Sequence, residues 1–492
     1  MKHRLSNNSG VIFIIITMVV TACSVNPVTG KNNFVLMSED DEIKLGRESH
    51  SQIAKQFGGE YSVEALQAYV QRVGEKLALN SHRPNLIYRF TVIDSPTVNA
   101  FAIPGGYIYI TRGLMAYLNS EAELAAVLGH EIGHVTARHS VRQISLSKAA
   151  GIGYQIGAIL IPELRTQGVS DLFGLLSNAL ISGYGRDQEL EADRLGAEYL
   201  ARSGYDPQAM VGVIGVLKNQ ERFEKQLAKE EGREPRVYHG VFASHPDNDT
   251  RLQQVVQSAD KFKSANAMIH RREAFLKQIE KLVFGDSEAS GILRGQKFYH
   301  KGLEFGLTFP AGWKIENMPD HLVAVAPKQR AVLQLMVKDI NKRIPPVDFL
   351  MDSLKIKRFV SDQDLNPNGL DGHSVVVSLN TAFGKRNARM SVIYHDKQAF
   401  TLVGYAKDKS SPKPYDKVFL DTARSFHALE DREKELASAL EIHLLQTDAA
   451  MTFKQLAEGS AITHHAEEQL RLLNGMYPNG EPSPGQLIKI VN

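Results

Sequence analysis

The stretch His130-Glu131-Ile132-Gly133-His134 decides how the rest of the 492-residue chain is read. Two histidines four apart lie about 40° apart around a helix, so both imidazoles can reach one metal ion. Glu131 lies about 100° from His130, near enough for its carboxylate to reach a metal-held water without itself becoming a ligand. One helix then supplies two ligands and a base, the arrangement of the H-E-x-x-H zinc proteases. With 17 histidines in the chain, chance placement gives the bare pattern on the order of a few per cent of the time. Its flanks carry it further. Ser120 and Glu123 read as an S-x-x-E capping box, and Leu124, Val127, Leu128, Ile132 and Val135 follow at helical spacing. Gly129 and Gly133 would each cost roughly 1 kcal/mol against Ala in such a helix, which predicts an element packed closely on their face.

A catalytic zinc takes three protein ligands and keeps a fourth position open, and two His with one Glu is one such set. Arg186-Asp187-Gln188-Glu189-Leu190-Glu191-Ala192-Asp193 offers the missing carboxylate in E-x-x-x-D form. On a helix Glu189 and Asp193 share a face, while Glu191 points about 160° away. Glu189 is therefore assigned to the metal, one Zn2+ per chain. Asp193 is assigned to a hydrogen bond that fixes the tautomer of a ligand histidine.

Taken with Asn99-Ala100-Phe101-Ala102-Ile103-Pro104-Gly105-Gly106 and Ser244-His245-Pro246, these motifs resemble the zinc metallopeptidases of the CAAX prenyl protease and HtpX type, in particular their periplasmic, BepA-like branch. The likeness covers about residues 25 to 280. It implies the same third ligand, Glu189, in agreement with the facing argument; Gly185 stands where the family usually has Ser. It also implies that the loop of His245 and Arg251 faces the metal, where His245 would donate to a developing oxyanion or close the fourth position. Tyr184 is a further oxyanion candidate, and Asn99, Ala100, Phe101, Tyr184 and Arg251 are candidate substrate contacts.

Upstream, Lys2 and Arg4 precede an apolar run from Val11 to Val20, too short for an ordinary spanning helix and suited to a secretory signal. Val20-Thr21-Ala22-Cys23 resembles a bacterial lipobox, so residues 1–22 read as a signal peptide and Cys23 as a lipidation site anchoring residues 23–40 to a membrane. Ser24 after the cysteine resembles lipoproteins sent to the outer membrane. Lys+Arg 57 and Asp+Glu 55 become 55 and 55 once Lys2 and Arg4 leave, a balance that gives no reason to expect nucleic acid. Cys23 is the one cysteine, so no internal disulfide is possible and stability must come from packed cores.

The expected architecture is multidomain α+β. A mainly helical, gluzincin-type zincin protease domain spans 41–284, with helices over 38–80, strands at Leu86–Ile93 and Tyr107–Thr111, and apolar runs at Ala149–Ile161 and Leu172–Ile181 that could cover the cleft. The strand Tyr107–Thr111 is a candidate for binding substrate backbone by strand addition. Residues 285–295 read as a linker, and 296–428 as a small α+β sheet domain loosely resembling PsbP/Mog1-like domains. Residues 429–492 read as a charged helical segment closing in a LysM-like module, from Leu470–Gly475 and Pro484–Val491. The function expected is an endopeptidase of the Gram-negative cell envelope, lipid-anchored and facing the periplasm. It would act on misfolded or misassembled polypeptides, in contact with outer-membrane assembly machinery or peptidoglycan. The alternative is an assembly chaperone or murein-tethered scaffold with little proteolysis.

Overall fold

The structure, a computed structural model, describes residues 23–148, 176, 183–231, 235, 268–318, 321–342, 344–352, 358–448 and 451–492. They fall into two units: one takes in the chain up to Phe284 together with Glu441–Asn492, and the other is Gly285–Leu440.

The first unit opens with the hairpin β1 (Cys23–Val25) and β2 (Asn32–Phe34), followed by α1 (Glu39–Gln56), which starts at the expected Ser38 with a complete capping box to Asp41. Helix α2 (Glu64–Ala78) buries Leu66, Tyr69, Val70, Val73 and Leu77. A three-stranded sheet follows. β3 (Arg89–Ile93) pairs parallel with β5 (Tyr107–Thr111), and β4 (Ala100–Ile103) pairs antiparallel on the other side of β5. This corrects one expectation: Tyr107–Thr111 is held by strands on both sides, so the edges of this sheet are β3, which carries only the isolated bridge of Ile93 to Glu60, and β4. Between β4 and β5 the chain turns at Gly105 and Gly106, both at positive φ (83° and 85°). A Cβ on Gly106 would lie 2.8 Å from the Ile87 carbonyl, so both conformation and space require glycine there.

Helix α3 (Arg112–Tyr117) leads into α4 (Glu121–Thr136), which carries the metal motif and buries every residue except Glu123. A helix buried all round lies in a core instead of on a surface. A further helix, α5, covers 139–148, and α6 (Arg186–Arg202), α7 (Ala209–Glu230) and α8 (Arg272–Gln278) complete the helical layer. α6 lies directly against α4, as the two glycines predicted. A Cβ on Gly133 would sit 2.9 Å from the Ala192 carbonyl oxygen, and one on Gly129 3.3 Å from that of Gly196. The runs Ala149–Ile161 and Leu172–Ile181 lie outside the described residues, apart from Leu176, which is helical and buried. Among the described residues no helix is long and apolar enough to cross a membrane.

After β6 (Val283–Phe284) the chain builds the second unit, an α+β body of two antiparallel sheets. The strands are β7 (Ile292–Arg294), β8 (Lys297–His300), β9 (Phe305–Thr308), β10 (Lys314–Asn317), β11 (His321–Val325), β12 (Ala331–Asp339), β13 (Ser361–Leu365), β14 (Gly372–Thr381), β15 (Gly384–His395), β16 (Gln398–Ala406) and β17 (His427–Ala428). Seven run in the order β10-β11-β12-β16-β15-β14-β13 and four in the order β17-β9-β8-β7. One core gathers Phe305, Trp313, Phe400, Phe419 and Phe426, with α10 (Asp416–Arg424) contributing Phe419. A second gathers Val375, Val377, Val392 and Val403 beside α9 (Pro346–Asp352). Residues 285–295 are not a bare linker: Ile292 is buried in β7, and the Leu293 amide donates to Asp286 Oδ2 at 3.0 Å.

The chain returns to the first unit through β18 (Leu440–Gln446), then α11 (Phe453–Glu458), α12 (Ala466–Leu473) and β19 (Leu487–Val491). β18 and β19 pair antiparallel, and β6 extends that sheet on the β18 side. The helical start expected at 429 is only a 3-10 turn at Asp431–Glu433, because β18 takes up the residues beyond it. The C-terminal segment is packed into the first unit. Lys489 is wholly buried, and its Nζ donates to the carbonyls of Ala116 (2.6 Å) and Leu118 (2.8 Å). Arg272 donates to the carbonyls of Leu487 and Asn119.

Candidate metal centre

Ser120 caps α4 as expected, accepting from the Glu123 amide at 3.1 Å, but the reciprocal bond differs: Glu123 Oε2 accepts from the Asn119 amide at 2.6 Å. The first turn is fixed from the side by Glu121, which accepts from the hydroxyls of Tyr69 (2.9 Å) and Tyr205 (2.8 Å). The far end is held by a buried charge network. Glu42 on α1 accepts from Arg83 Nη1 at 2.9 Å and from Arg138 Nε at 3.0 Å, and Arg83 also donates to the Val135 carbonyl. Paired carboxylates raise the Arg83 guanidinium above its ordinary value against the opposing effect of its burial. Thr136 is tied to the Tyr199 hydroxyl at 2.9 Å. The helix carrying the motif is therefore pinned at both ends.

On this helix His130 Nε2 and His134 Nε2 stand 3.0 Å apart. Glu189 enters from α6, with Oε2 3.6 Å from His130 Nε2 and Oε1 3.5 Å from His134 Nε2. All three side chains are buried, and their ligand atoms lie within 4.8 Å of one another. Tetrahedral zinc with bonds of about 2.0–2.1 Å needs ligand atoms about 3.3 Å apart. The three separations bracket that length, so the residues present fit the ion. His130 Nδ1 lies 2.8 Å from Asp193 Oδ1, so the carboxylate stands beside the ring nitrogen that is not the one nearest Glu189. Glu131, on the same turn, is 2 % exposed.

The other ligand histidine is braced by residues absent from the sequence-based site. His134 Nδ1 lies 2.8 Å from His139 Nδ1, and His139 Nε2 lies 3.1 Å from Glu191 Oε2. Burial pushes the His139 imidazole below its ordinary value, and the hydrogen bond from His139 holds the Glu191 carboxyl below its own. The spacing argument turned Glu191 away from the metal; the structure turns it onto His139. Tyr184 stacks on the His134 ring, with centroids 3.9 Å apart, and its hydroxyl meets Ser140 Oγ at 2.6 Å. Burial raises that phenol well above its ordinary value. Asn99 leads into β4, bonded through its backbone to Thr111, while Phe101 packs its ring on Phe57 and Tyr109. His245 and Arg251 lie outside the described residues, as do residues 1–22. Of Cys23 only the backbone, in β1, is described.

Residues 64–259 match the model of peptidase family M48. The two histidines of α4 and the glutamate of α6 converge inside that match. This region is similar to peptidase family M48. The beta-barrel assembly-enhancing protease of Yersinia pestis is 33% identical over 205 residues, which are 40% of this chain and 40% of that protein. The Escherichia coli K12 protein of the same name is 31% identical over 220 residues, 41% of this chain and 43% of its own. The mitochondrial metalloendopeptidase OMA1 of Schizosaccharomyces pombe is 30% identical over 232 residues, 46% of this chain and 64% of its own. The chain thus spans under half the length of the two bacterial relatives. M48 peptidases use zinc, and His130, His134 and Glu189 form the group able to hold one such ion.

Proposed function

We propose that the whole chain is a zinc-dependent endopeptidase that hydrolyses peptide bonds of misfolded or misassembled proteins in a Gram-negative envelope. The observation that carries it is the convergence of His130, His134 and Glu189 on one point, with Glu131 on the turn between the two histidines. Zinc held there would supply Lewis acidity and bring the pKa of a bound water towards ~7. Glu131 then takes the proton of the attacking water and delivers it to the departing amine. Asp193 holds the His130 ring in its working tautomer. His245, from the loop that the family resemblance aims at the metal, donates to the developing oxyanion or closes the fourth position, and Arg251 contacts substrate. Asn99, Ala100 and Phe101, at the start of the edge strand β4, take substrate backbone by strand addition. Tyr184, stacked on the His134 ring with its hydroxyl at Ser140 Oγ, stands as a further oxyanion candidate.

The setting follows the relatives' names and the N-terminal sequence: acylation at Cys23 after removal of residues 1–22, an outer-membrane anchor, and clients drawn from outer-membrane protein assembly. The strand-helix-helix-strand order of 440–491 supports a LysM-like, peptidoglycan-facing reading of the C-terminus. The experiment is cleavage of casein and of an unfolded outer-membrane protein by the purified chain. Clients protected from aggregation but left uncut, with zinc bound, would favour the assembly-chaperone reading instead.

A further inference from the structure

His139 is wholly buried although it lies beyond the end of α4 and outside the H-E-x-x-H motif. Five residues beyond His134 on a continuing helix it would face about 140° away from it. The chain is bent back at Arg138, which takes a left-handed conformation (φ 56°) unusual for a branched-out, non-glycine side chain. That conformation is secured by Arg138 Nε on Glu42 and Nη2 on the Met37 carbonyl, both at 3.0 Å. The bend delivers His139 Nδ1 to 2.8 Å from His134 Nδ1. On its other side His139 Nε2 meets Glu191, whose side chain also lies 4.0 Å from Arg142.

Two imidazoles meeting through Nδ1 atoms need one donor and one acceptor. A carboxylate accepts only, so Glu191 requires the proton of neutral His139 to sit on Nε2, leaving Nδ1 as a bare acceptor. His134 must then carry its proton on Nδ1, and its Nε2 is left with the lone pair a metal takes. We propose that Glu191 and His139 are a positioning pair for the ligand His134, doing through an intervening imidazole what Asp193 does directly for His130. The pair touches neither substrate nor metal. The inference rests on the zinc-site reading above and deepens it by assigning the tautomer of the second ligand to two residues outside the ligand set.

The test is zinc affinity of the full chain, measured by competition with a fluorescent chelator, with unfolding of the apo-protein followed in parallel. His139→Leu removes the acceptor and should weaken zinc binding about 10- to 100-fold, the usual cost of losing an outer partner of a ligand. His139→Asn places an amide oxygen near the Nδ1 position and should recover most of that loss. Glu191→Ala, at a half-buried position, should cost about threefold in the wild-type background and nothing further beside His139→Asn, which has no tautomer to fix. A merely structural role for the pair would give no such dependence on background. Unchanged zinc affinity in His139→Leu overturns the proposal, as does a Glu191→Ala effect that persists beside His139→Asn. If His139→Leu does not fold, the Glu191→Ala comparison alone decides. A wild-type chain that binds no zinc would instead overturn the site reading itself.

Discussion

The packing of α6 on α4 converts one methyl group into a measurable sign reversal. In an open helix interior Gly→Ala stabilises by about 1 kcal/mol, through helix propensity and a less free unfolded chain. Gly215, inside α7, has nothing within 4 Å of where a Cβ would stand, so Gly215→Ala should raise stability by about that amount. At Gly133 the same Cβ would meet Ala192 O at 2.9 Å, Ala192 Cα at 3.0 Å and Leu195 Cβ at 3.3 Å. Two of these are backbone atoms that no rotamer change can move, so α6 must shift by several tenths of an ångström. Overpacking of this kind costs about 1–3 kcal/mol, which outweighs the propensity gain. Gly133→Ala should therefore be destabilised by about 0–2 kcal/mol, leaving about 1–3 kcal/mol between the two variants. The shift falls on Ala192, between Glu189 and Asp193, so Gly133→Ala should also lose zinc affinity while Gly215→Ala keeps it. Urea unfolding of both variants beside chelator competition measures all four quantities. Gly133→Ala stabilised as much as Gly215→Ala, with zinc affinity intact, would refute the close packing of α6 on the catalytic helix.

Two further substitutions test what holds that helix. Lys489→Met leaves the carbonyls of Ala116 and Leu118 without the buried amine donor they share, just ahead of α4, and should cost about 1–3 kcal/mol; a loss below about 0.5 kcal/mol would show that β19 does not secure this turn. Glu42→Gln removes the 1 % exposed carboxylate that serves both Arg83 and Arg138. It should cost about 3–5 kcal/mol, the range for breaking a buried pair, and a neutral result in thermal unfolding would remove the network from the account.

What the sequence made legible was local. The motif, its cap at Ser120, the bounds of β5, the Glu189–Asp193 face and the meaning of Gly129 and Gly133 all follow from helical or strand periodicity within a few residues. The misses were long-range. Periodicity cannot say that Tyr107–Thr111 is flanked on both sides, or that Glu441–Asn492 folds against the unit of the motif instead of standing apart. Nor could it find His139. Its one signal is a histidine five positions past the motif, useful only once the left-handed turn at Arg138 is known, and that turn depends on Glu42 from a helix about 95 residues earlier. Glu191 was read correctly as facing away from the metal, yet what it faces is set by that same bend.

Whether His130, His134 and Glu189 hold a working zinc with Glu131 as its base is decided by zinc content and casein cleavage of the purified chain beside Glu131→Gln. One zinc per chain is expected in both proteins, with cleavage in the wild type and a loss of about 10²-fold or more in the variant, the usual contribution of a general base. Cleavage undiminished in Glu131→Gln, or a wild-type chain that holds no zinc, would contradict that assignment.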